Sequence, residues 1–260
     1  MKLRKEPFSE IRTNLSVCKK LLHYKKINST QIKLKRLAEK NADSGLLIVA
    51  DVQSGGYGRI KRKWSSGKGG LWFSMLLKPA IRPDEISKLA LVIAVALNRV
   101  FRNNYGINTL IKWPNDILFS GKKMCGILVE MSVESGSVKW TVAGIGVNIN
   151  NVLPKELANI SVSLRSILGK KESRVKFLSE FLHVFDKLYS GFTKNGFEGF
   201  VKEYNGNSAF INEPIKVDDG FGIIEGRNLG IDKNGRLVLK TAQGLKKVMT
   251  GTVVKGVKNV

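Results

Sequence analysis

Cationic side chains next to glycines are the residues of this chain whose types and spacing could do chemistry. Arg59 and Arg62 lie in the glycine-rich stretch of residues 53–64, and Lys123 stands just before an apolar run that contains Gly126. Glycine lets a backbone approach a ligand closely, and cations neutralise an anion held there. The pattern predicts a loop that closes over an anionic ligand, while a solvated basic hairpin is an equal alternative on composition alone.

An amide and a carboxylate stand together in a third segment, Lys112-Trp-Pro-Asn-Asp116. The two histidines, His23 and His183, lie outside any motif that would pair them with a nucleophile. Arginines and a lysine without an activated nucleophile favour electrostatic catalysis, in which the protein stabilises charge on a phosphate. These three segments together predict a phosphate-handling site.

The composition of the 260-residue chain narrows the class of protein. Lysine and arginine number 44 against 21 acidic residues, and the net charge of +23 favours anionic partners or a lysine-rich surface without specific meaning. Cys18 and Cys125 are too few for a disulfide framework, and no Cys/His cluster has metal-ligand spacing. The longest apolar stretch, around residues 89–97, is too short to span a bilayer. We therefore expect a cytoplasmic protein with no membrane partner.

The elements that position these groups follow from apolar periodicity. Helical spacing predicts helices over residues 30–41, 83–105 and 172–194. Short apolar runs predict strands at residues 24–27, 46–50 and 71–78, followed by an antiparallel meander between residues 110 and 148. This order indicates an α+β fold with a central mixed or antiparallel sheet flanked by helices.

The sequence pattern changes after Asn205-Gly206, where short Val/Ile runs alternate with glycines. That pattern predicts a small antiparallel β-barrel. The expected division is an N-terminal extension at residues 1–22, a catalytic domain at residues 23–206 and the barrel at residues 207–260. Residues 1–22 are too short for a winged helix-turn-helix module, so we expect no specific nucleic-acid partner.

Four motifs in order resemble the signatures of biotin–protein ligases, and the resemblance covers roughly residues 24–257. The motifs are Gly56-x-Gly-Arg-x-x-Arg-x-Trp64, Lys112-Trp-Pro-Asn-Asp116, Lys123-x-x-Gly-Ile-Leu-Val-Glu130 and Gly144-Ile-Gly-Val-Asn148. The resemblance implies a biotin/lipoate-ligase-like catalytic domain of the class II synthetase type, followed by an SH3-like β-barrel. It implies the type of ligase without an N-terminal DNA-binding domain.

The implied reaction has two steps. Biotin's carboxylate attacks the α-phosphate of ATP to give biotinyl-5′-adenylate and pyrophosphate, and a lysine of a biotin carboxyl carrier protein then displaces AMP. Biotin and ATP are thus the implied substrates, with Mg²⁺ accompanying ATP and no direct metal motif. By resemblance, Lys123, Arg59 and Asp116 are the catalytic residues. Asp116 orients the incoming amine or helps to hold Mg²⁺, and a plain turn-capping role is its alternative.

The resemblance also implies two sets of binding residues. The biotin set is Ser29, Thr30, Gln31, Gln53, Tyr57, Gly58, Arg59, Lys123 and Gly126. The ATP and adenylate set is Arg59, Arg62, Trp64, Asn115, Lys123 and Asn148. Trp64 and Trp113 resemble walls around the ligand, with a role as core aromatics as an equal alternative.

The chain departs from the family pattern in the loop. Tyr57 stands where arginine is usual, Gln31 where asparagine is frequent, and Ile60-Lys61 replaces a common Arg-Gly pair. A lipoate ligase or octanoyltransferase of the same fold, and a biotin-responsive repressor, are the alternative functions. A homodimer formed through the edge of the central sheet is a possible assembly.

Overall fold

The computed structural model describes residues 8–11 and 14–256, which form two sheets with their helices. The larger sheet has seven strands in the spatial order β1-β2-β3-β7-β6-β5-β4. These strands are β1 (Lys20–Tyr24), β2 (Leu46–Ala50), β3 (Leu71–Leu77), β4 (Leu110–Lys112), β5 (Asp116–Phe119), β6 (Lys122–Glu134) and β7 (Ser137–Val147). Only the β1–β2 pair within this described sheet is parallel, so the predicted mixed or antiparallel sheet is confirmed.

Helices cover both faces of this sheet. They are α1 (Thr30–Glu39), α2 (Ile86–Tyr105), α3 (Leu164–Leu168), α4 (Arg174–Asn195) and α5 (Val201–Gly206). Because side chains alternate across a strand, Leu47 and Val49 pack in the core with α2 and α4, while Ile48 packs with α1. The long helices therefore lie on one face and α1 on the other.

Local sequence explains where two of these helices begin and end. Ser29 caps α1 because its hydroxyl accepts a hydrogen bond from the backbone N–H of Ile32. Gly106 ends α2 in the left-handed conformation, with φ of 66°. The predicted Asn/Ser/Thr cap and the glycine stop are confirmed.

The N-terminal part differs from the prediction. The strand expected at residues 24–27 is wrong, because β1 lies earlier and begins inside the stretch expected to be an extension. Phe8, Val17 and Cys18 are buried in the main core. Residues 14–22 therefore belong structurally to the sheet domain, whereas residues 1–7 and 12–13 lie outside the described residues.

The smaller sheet is the predicted C-terminal unit, with five antiparallel strands in the order β11-β10-β9-β8-β12. They are β8 (Pro214–Asp218), β9 (Ile223–Ile231), β10 (Leu237–Thr241), β11 (Gly244–Val248) and β12 (Thr252–Gly256). Asn205 joins the two units, since its side chain bonds the backbone of Ile231 through both its nitrogen and its oxygen. The exact domain boundaries stay a prediction. No helix within the described ranges combines the length and the hydrophobicity that a membrane crossing requires.

Candidate active site

A cavity of about 340 Å³ lies where the first turn of α1, the loop of residues 53–64 and the face of β6 and β7 meet. Every residue predicted for the site lines it. They are Ser29, Thr30, Gln31, Gln53, Tyr57, Gly58, Arg59, Arg62, Trp64, Asn115, Asp116, Lys123, Gly126 and Asn148. The volume is that of a small-molecule site.

One end of the cavity, which we call the neutral end, is built from uncharged hydrogen-bonding side chains around Thr30. The backbone N–H of Thr30 donates to Gln53 Oε1 at 2.8 Å, and Thr30 Oγ1 lies 3.1 Å from that same oxygen. Gln53 Nε2 in turn donates to Ser66 Oγ at 2.9 Å. Thr30 Oγ1 is also 2.9 Å from Ser74 Oγ, which donates to Gln31 Oε1 at 3.0 Å. These hydrogen bonds fix the orientation of the side-chain amides of Gln31 and Gln53.

Gln31 carries the network onward to a carboxylate. Its Nε2 donates to the backbone oxygen of Val142 at 3.0 Å and to Glu130 Oε2 at 2.9 Å. Tyr57 Oη donates to the same Glu130 oxygen at 2.8 Å, and Lys35 Nζ pairs with Glu130 Oε1 at 2.8 Å. Burial alone would raise the pKa of Glu130, but the bonds from Lys35, Gln31 and Tyr57 lower it below its ordinary value. The carboxylate is therefore held ionised.

Sequence reasoning missed Glu130, Lys35 and Ser74. A signal for Glu130 exists, because residues 126, 128 and 130 share one face of β6 and Gly126 was already assigned to the site. Lys35 has the same kind of signal, since it lies on α1 one helical turn beyond Gln31. Ser74 sits within a continuous apolar strand and gives none.

Glycines on β6 and β7 leave room for larger side chains above them. A Cβ at Gly146 would lie 2.4 Å from Trp64 Nε1, and one at Gly126 would lie 3.0 Å from the Trp64 ring. A Cβ at Gly144 would lie 2.4 Å from Gln31 Oε1. Trp64 therefore lies against the sheet as a wall of the cavity, and its buried Nε1 has no hydrogen-bond partner among the described residues.

The opposite end, which we call the cationic end, gathers Arg59, Arg62, Lys112 and Lys123 around one carboxylate. Lys123 Nζ lies 2.6 Å from Asp116 Oδ1 and 5.0 Å from the centroid of the Trp64 ring. Burial lowers the pKa of Lys112, and Lys123 and Arg62 lower it further against the opposing effect of Asp116. Among the described residues that line the cavity, Asp116 is the only acidic one. Positive charge is in excess at this end, so it suits an anion.

Arg59 spans the two structural units. Its Nη1 donates to the backbone oxygen of Gly251, just before β12, at 2.9 Å, and lies 3.5 Å from Asn115 Oδ1. Burial lowers the pKa of Arg59, which Asp116 opposes and Arg62 reinforces. Asn115 is itself fixed, because its Nδ2 donates to the backbone oxygen of Ile127 at 2.7 Å. Arg62 is exposed at the rim of the cavity.

Asn148 and the segment of residues 153–161 close the remaining side. Asn148 is buried, with its Nδ2 3.4 Å from the backbone oxygen of Lys123 and its Oδ1 accepting from Asn151 at 3.0 Å. The backbone of Lys123 donates to Ile160 in this segment and accepts from Val162 just beyond it. Lys123 is thereby held between two backbone partners.

The sequence left two roles open for Trp113, as a wall around the ligand and as a core aromatic, and the structure supports both. It lines the cavity, yet only 5% of it is exposed, and its Nε1 donates to the backbone oxygen of Gly235 at 3.2 Å. The peptide bond between Trp113 and Pro114 is cis. Trp113 thus packs between the two units while one of its surfaces faces the cavity.

Comparisons with known proteins agree with this architecture. The chain matches the biotin/lipoate A/B protein ligase family over residues 24–150 and the biotin protein ligase C-terminal domain over residues 210–256. It is 37% identical over 255 residues to the bifunctional ligase/repressor BirA of Bacillus subtilis, covering 95% of this chain and 78% of that protein. It is 28% identical over 215 residues to the biotin–[acetyl-CoA-carboxylase] ligase of Paracoccus denitrificans, covering 80% of this chain and 90% of the relative. The biotin protein ligase of Aquifex aeolicus in complex with biotin and ATP superimposes with a TM-score of 0.80 at 31% identity, covering 91% and 98% of the two chains.

Proposed function

This chain belongs to the biotin/lipoate A/B protein ligase family, and we propose that its cavity activates biotin with ATP and transfers it to a carrier-protein lysine. The observation that carries the proposal is the division of one cavity into a neutral end and a cationic end. A carboxylate that must react with a triphosphate needs this division, because its uncharged part and its charged part require opposite surroundings.

In the first step, a carboxylate oxygen of biotin forms a bond to the α-phosphorus of ATP, and the bond from that phosphorus to pyrophosphate breaks. Both reactants are anions, so the barrier falls when fixed cations lie between them. Lys123 is placed to bridge the carboxylate and the α-phosphate, while Arg59 and Arg62 bind phosphate oxygens. Asn115 and Asn148 are the proposed adenylate contacts, with Trp64 as a wall.

The neutral end takes the uncharged part of biotin. Ser29, Thr30, Gln31 and Gln53 supply the polar groups, and Gly126 allows the ring system close to the sheet. Tyr57 and Gly58 cover this end from the loop. Once the loop is closed, water is kept from the mixed anhydride between biotin and AMP.

We propose that a magnesium ion enters the cationic end together with ATP, whose phosphates supply most of its ligands. Such an ion is held by one or two carboxylates together with substrate phosphates, and Asp116 is the carboxylate available at this end. Asp116 would hold the ion, which would supply positive charge to the triphosphate. Within the described residues, no cluster of three His, Cys, Asp or Glu side chains forms a metal site by itself.

In the second step, the amine of the acceptor lysine attacks the acyl carbon of the anhydride. A carbon–nitrogen bond forms, the bond from the acyl carbon to the AMP oxygen breaks, and the amine gives up a proton. Asp116 is the carboxylate near the reacting atoms, and its proposed role is to orient that amine. The acceptor is a lysine of a biotin carboxyl carrier protein.

Mass spectrometry of a carrier domain incubated with this protein, biotin and ATP tests the proposal. We expect one lysine to gain a biotinyl group, with release of pyrophosphate and AMP. Replacing biotin by lipoate in a parallel reaction is the control. Modification by lipoate and not by biotin would assign the chain to the other branch of its family.

Three further expectations stay predictions. The homodimer is tested by sedimentation with and without biotin and ATP. Specific nucleic-acid binding, which we expect not to occur, is tested by a gel shift at moderate salt, since non-specific binding by a basic protein weakens steeply as salt rises. The cytoplasmic location is tested by cell fractionation.

A further inference from the structure

Glu130 on β6 contacts both the loop of residues 53–64 and the neutral end of the cavity. One of its oxygens accepts hydrogen bonds from Tyr57 Oη at 2.8 Å and from Gln31 Nε2 at 2.9 Å. Its other oxygen pairs with Lys35 Nζ at 2.8 Å. A single carboxylate therefore contacts the loop, α1 and the neutral end of the cavity.

The bond from Tyr57 has a strong acceptor. Hydrogen bonds to an ionised group contribute about twice as much as bonds between neutral groups. Glu130 and Lys35 keep roughly 30% of their side chains exposed, at 29% and 31%, so part of their attraction is screened by water. The ammonium of Lys35 also lies 5.9 Å from the centroid of the Tyr57 ring. Tyr57 is thus held both at its hydroxyl and at its ring.

The tip of the loop has an unfavourable backbone conformation. Ile60 and Lys61 at the tip have left-handed φ angles of 52° and 53°, and Ile60 is 76% exposed. That backbone region is unfavourable for residues other than glycine, above all for a β-branched one. The tip therefore opposes the closed conformation, and other contacts of the loop must compensate for it.

Two of the side-chain contacts of the loop, those of Arg59 and Tyr57, differ in how substrate affects them. Arg59 donates to Gly251 and lies near Asn115, but it is also the proposed phosphate ligand. Its contacts therefore change when ATP binds. Tyr57 reaches Glu130 at the side of the neutral end, where the bond can persist with and without ligand.

We propose that Glu130 is a positioning residue that holds the loop of residues 53–64 closed through Tyr57, before substrates bind and while the acyl-adenylate is present. Its effect on the adenylate rests on the proposed function, whereas its effect on the free protein does not. Arginine is usual in the family at the position of Tyr57. Both side chains can donate a hydrogen bond to the Glu130 carboxylate.

Hydrogen exchange of the ligand-free full-length chain, followed by mass spectrometry, tests the proposal. Three loop amides report closure, because Gly58 donates to Arg62, Arg62 to Arg59, and Trp64 to Gly56. Such amides exchange when the loop opens. We expect Tyr57→Phe, which removes only the hydroxyl, to speed their exchange about tenfold, and Tyr57→Arg to return it to within about twofold of the wild-type rate.

Two matched variants separate this bond from a general loss of structure. Tyr24→Phe changes a tyrosine that packs against the α1 side of the sheet, and Glu134→Gln changes an exposed carboxylate on the same strand as Glu130. Both are expected to leave loop exchange unchanged. Amides of α4 serve as the internal reference in every sample.

The pairing itself is tested by combining substitutions. If Tyr57 acts through Glu130, Glu130→Ala and Tyr57→Phe each speed loop exchange, and the double variant exchanges no faster than the faster single one. Multiplied effects in the double variant, or unchanged exchange in Tyr57→Phe, would overturn the proposal. Because no biotin or ATP is present, these results hold even if the chain were found to activate a different acid.

A second measurement tests whether Glu130 also helps to retain the acyl-adenylate. Biotinyl-adenylate is formed on the enzyme without carrier protein, and its appearance in solution is followed by rapid filtration. We expect Tyr57→Phe to release it several times faster than Tyr24→Phe or the wild-type protein. Equal release by all three proteins would limit Glu130 to the free protein and contradict its role with the adenylate.

Discussion

The two ends of the cavity differ in how far their polar groups are already satisfied. At the neutral end, Gln31 uses both amide hydrogens and its oxygen on Glu130, Val142 and Ser74. At the cationic end, Arg59, Arg62, Lys112 and Lys123 share a single carboxylate among the described lining residues. One end is complete in the free protein, whereas the other has a charge excess that only an anionic ligand neutralises.

This difference predicts that the neutral end serves recognition and the cationic end serves catalysis. A fixed network of neutral groups binds the ground state and the transition state alike, so it determines affinity. Fixed cations stabilise the charge that develops during reaction, so they determine the rate. Substitutions at the two ends should therefore change different kinetic constants.

The largest effect is expected at the cationic end. Lys123→Gln keeps a polar, though shorter, side chain but removes the charge proposed to bridge carboxylate and phosphate, so we expect biotin-dependent pyrophosphate release to fall about 10²- to 10³-fold. Biotin binding measured by calorimetry should change far less. Lys122→Gln, at an adjacent half-buried lysine whose side chain bonds the backbone of Ala158, is the control. A fall in both variants would show that the local charge of this strand, and not Lys123 itself, matters.

Asp116→Asn should slow the two half-reactions to different extents. The substitution leaves the cations of this end without a carboxylate, which favours an anionic ligand but removes the group proposed to orient the amine. We expect single-turnover transfer from preformed adenylate to the carrier to fall about ten- to a hundredfold. Adenylate formation should fall less, because the substrate phosphates remain as ligands of the magnesium ion that Asp116 is proposed to help hold. An equal loss in both steps would show that the proposed role of Asp116 toward the magnesium ion in the first step is as large as its role in the second.

Gly144→Ala is the corresponding change at the neutral end. The added methyl would lie 2.4 Å from Gln31 Oε1, so the amide must move and lose its fixed direction. We expect KM for biotin to rise about tenfold while KM for ATP and kcat change little, the signature of lost uniform binding. Gly191→Ala, where an added Cβ meets no atom within 4 Å, is the control. A fall in kcat of the same size would mean that the two ends are not separable.

The smallest effect concerns the acid stability of the neutral end. The pKa of Glu130 is lowered in the folded protein from its ordinary value of 4.5, so its contribution to the free energy of unfolding is present above that pH. The contribution is lost as the pH falls below 4.5 through the folded pKa. We expect the difference in urea midpoint between wild type and Glu130→Gln to be constant at neutral pH and to shrink below about pH 4.5. A difference that persists at lower pH would exclude the carboxylate charge as its cause.

Sequence reasoning found the cationic end more completely than the neutral one. Arg59, Asp116 and Lys123 stand in short motifs with glycine or proline, and such motifs are visible along the chain. The bond between Tyr57 and Glu130 joins residues 73 positions apart, and the contact of Arg59 with Gly251 joins residues 192 apart. Neither has a local signal, because each depends on how the loop and the C-terminal unit fold over the sheet.

The elements of the fold were likewise predictable where their signal is local. Helices with regular apolar spacing, such as α2 and α4, agree closely with the prediction. Strand β1 was misplaced because Lys20–Tyr24 has little alternation and depends on parallel pairing with β2. Parallel pairing joins distant segments, so tertiary contacts and not local propensity decided the strand.

The left-handed tip of the loop has a consequence for measured affinity. Residues such as Ile60 and Lys61 in this conformation each cost of the order of 1–3 kcal/mol, a range similar to the contribution of one charge-assisted hydrogen bond. This strain reduces the margin by which the closed loop is favoured, and the apparent dissociation constant of a substrate that binds the closed loop is its intrinsic value divided by the closed fraction. We therefore expect substitutions at residues 60 and 61 to change the apparent affinity for biotin and ATP without changing the groups proposed to contact biotin.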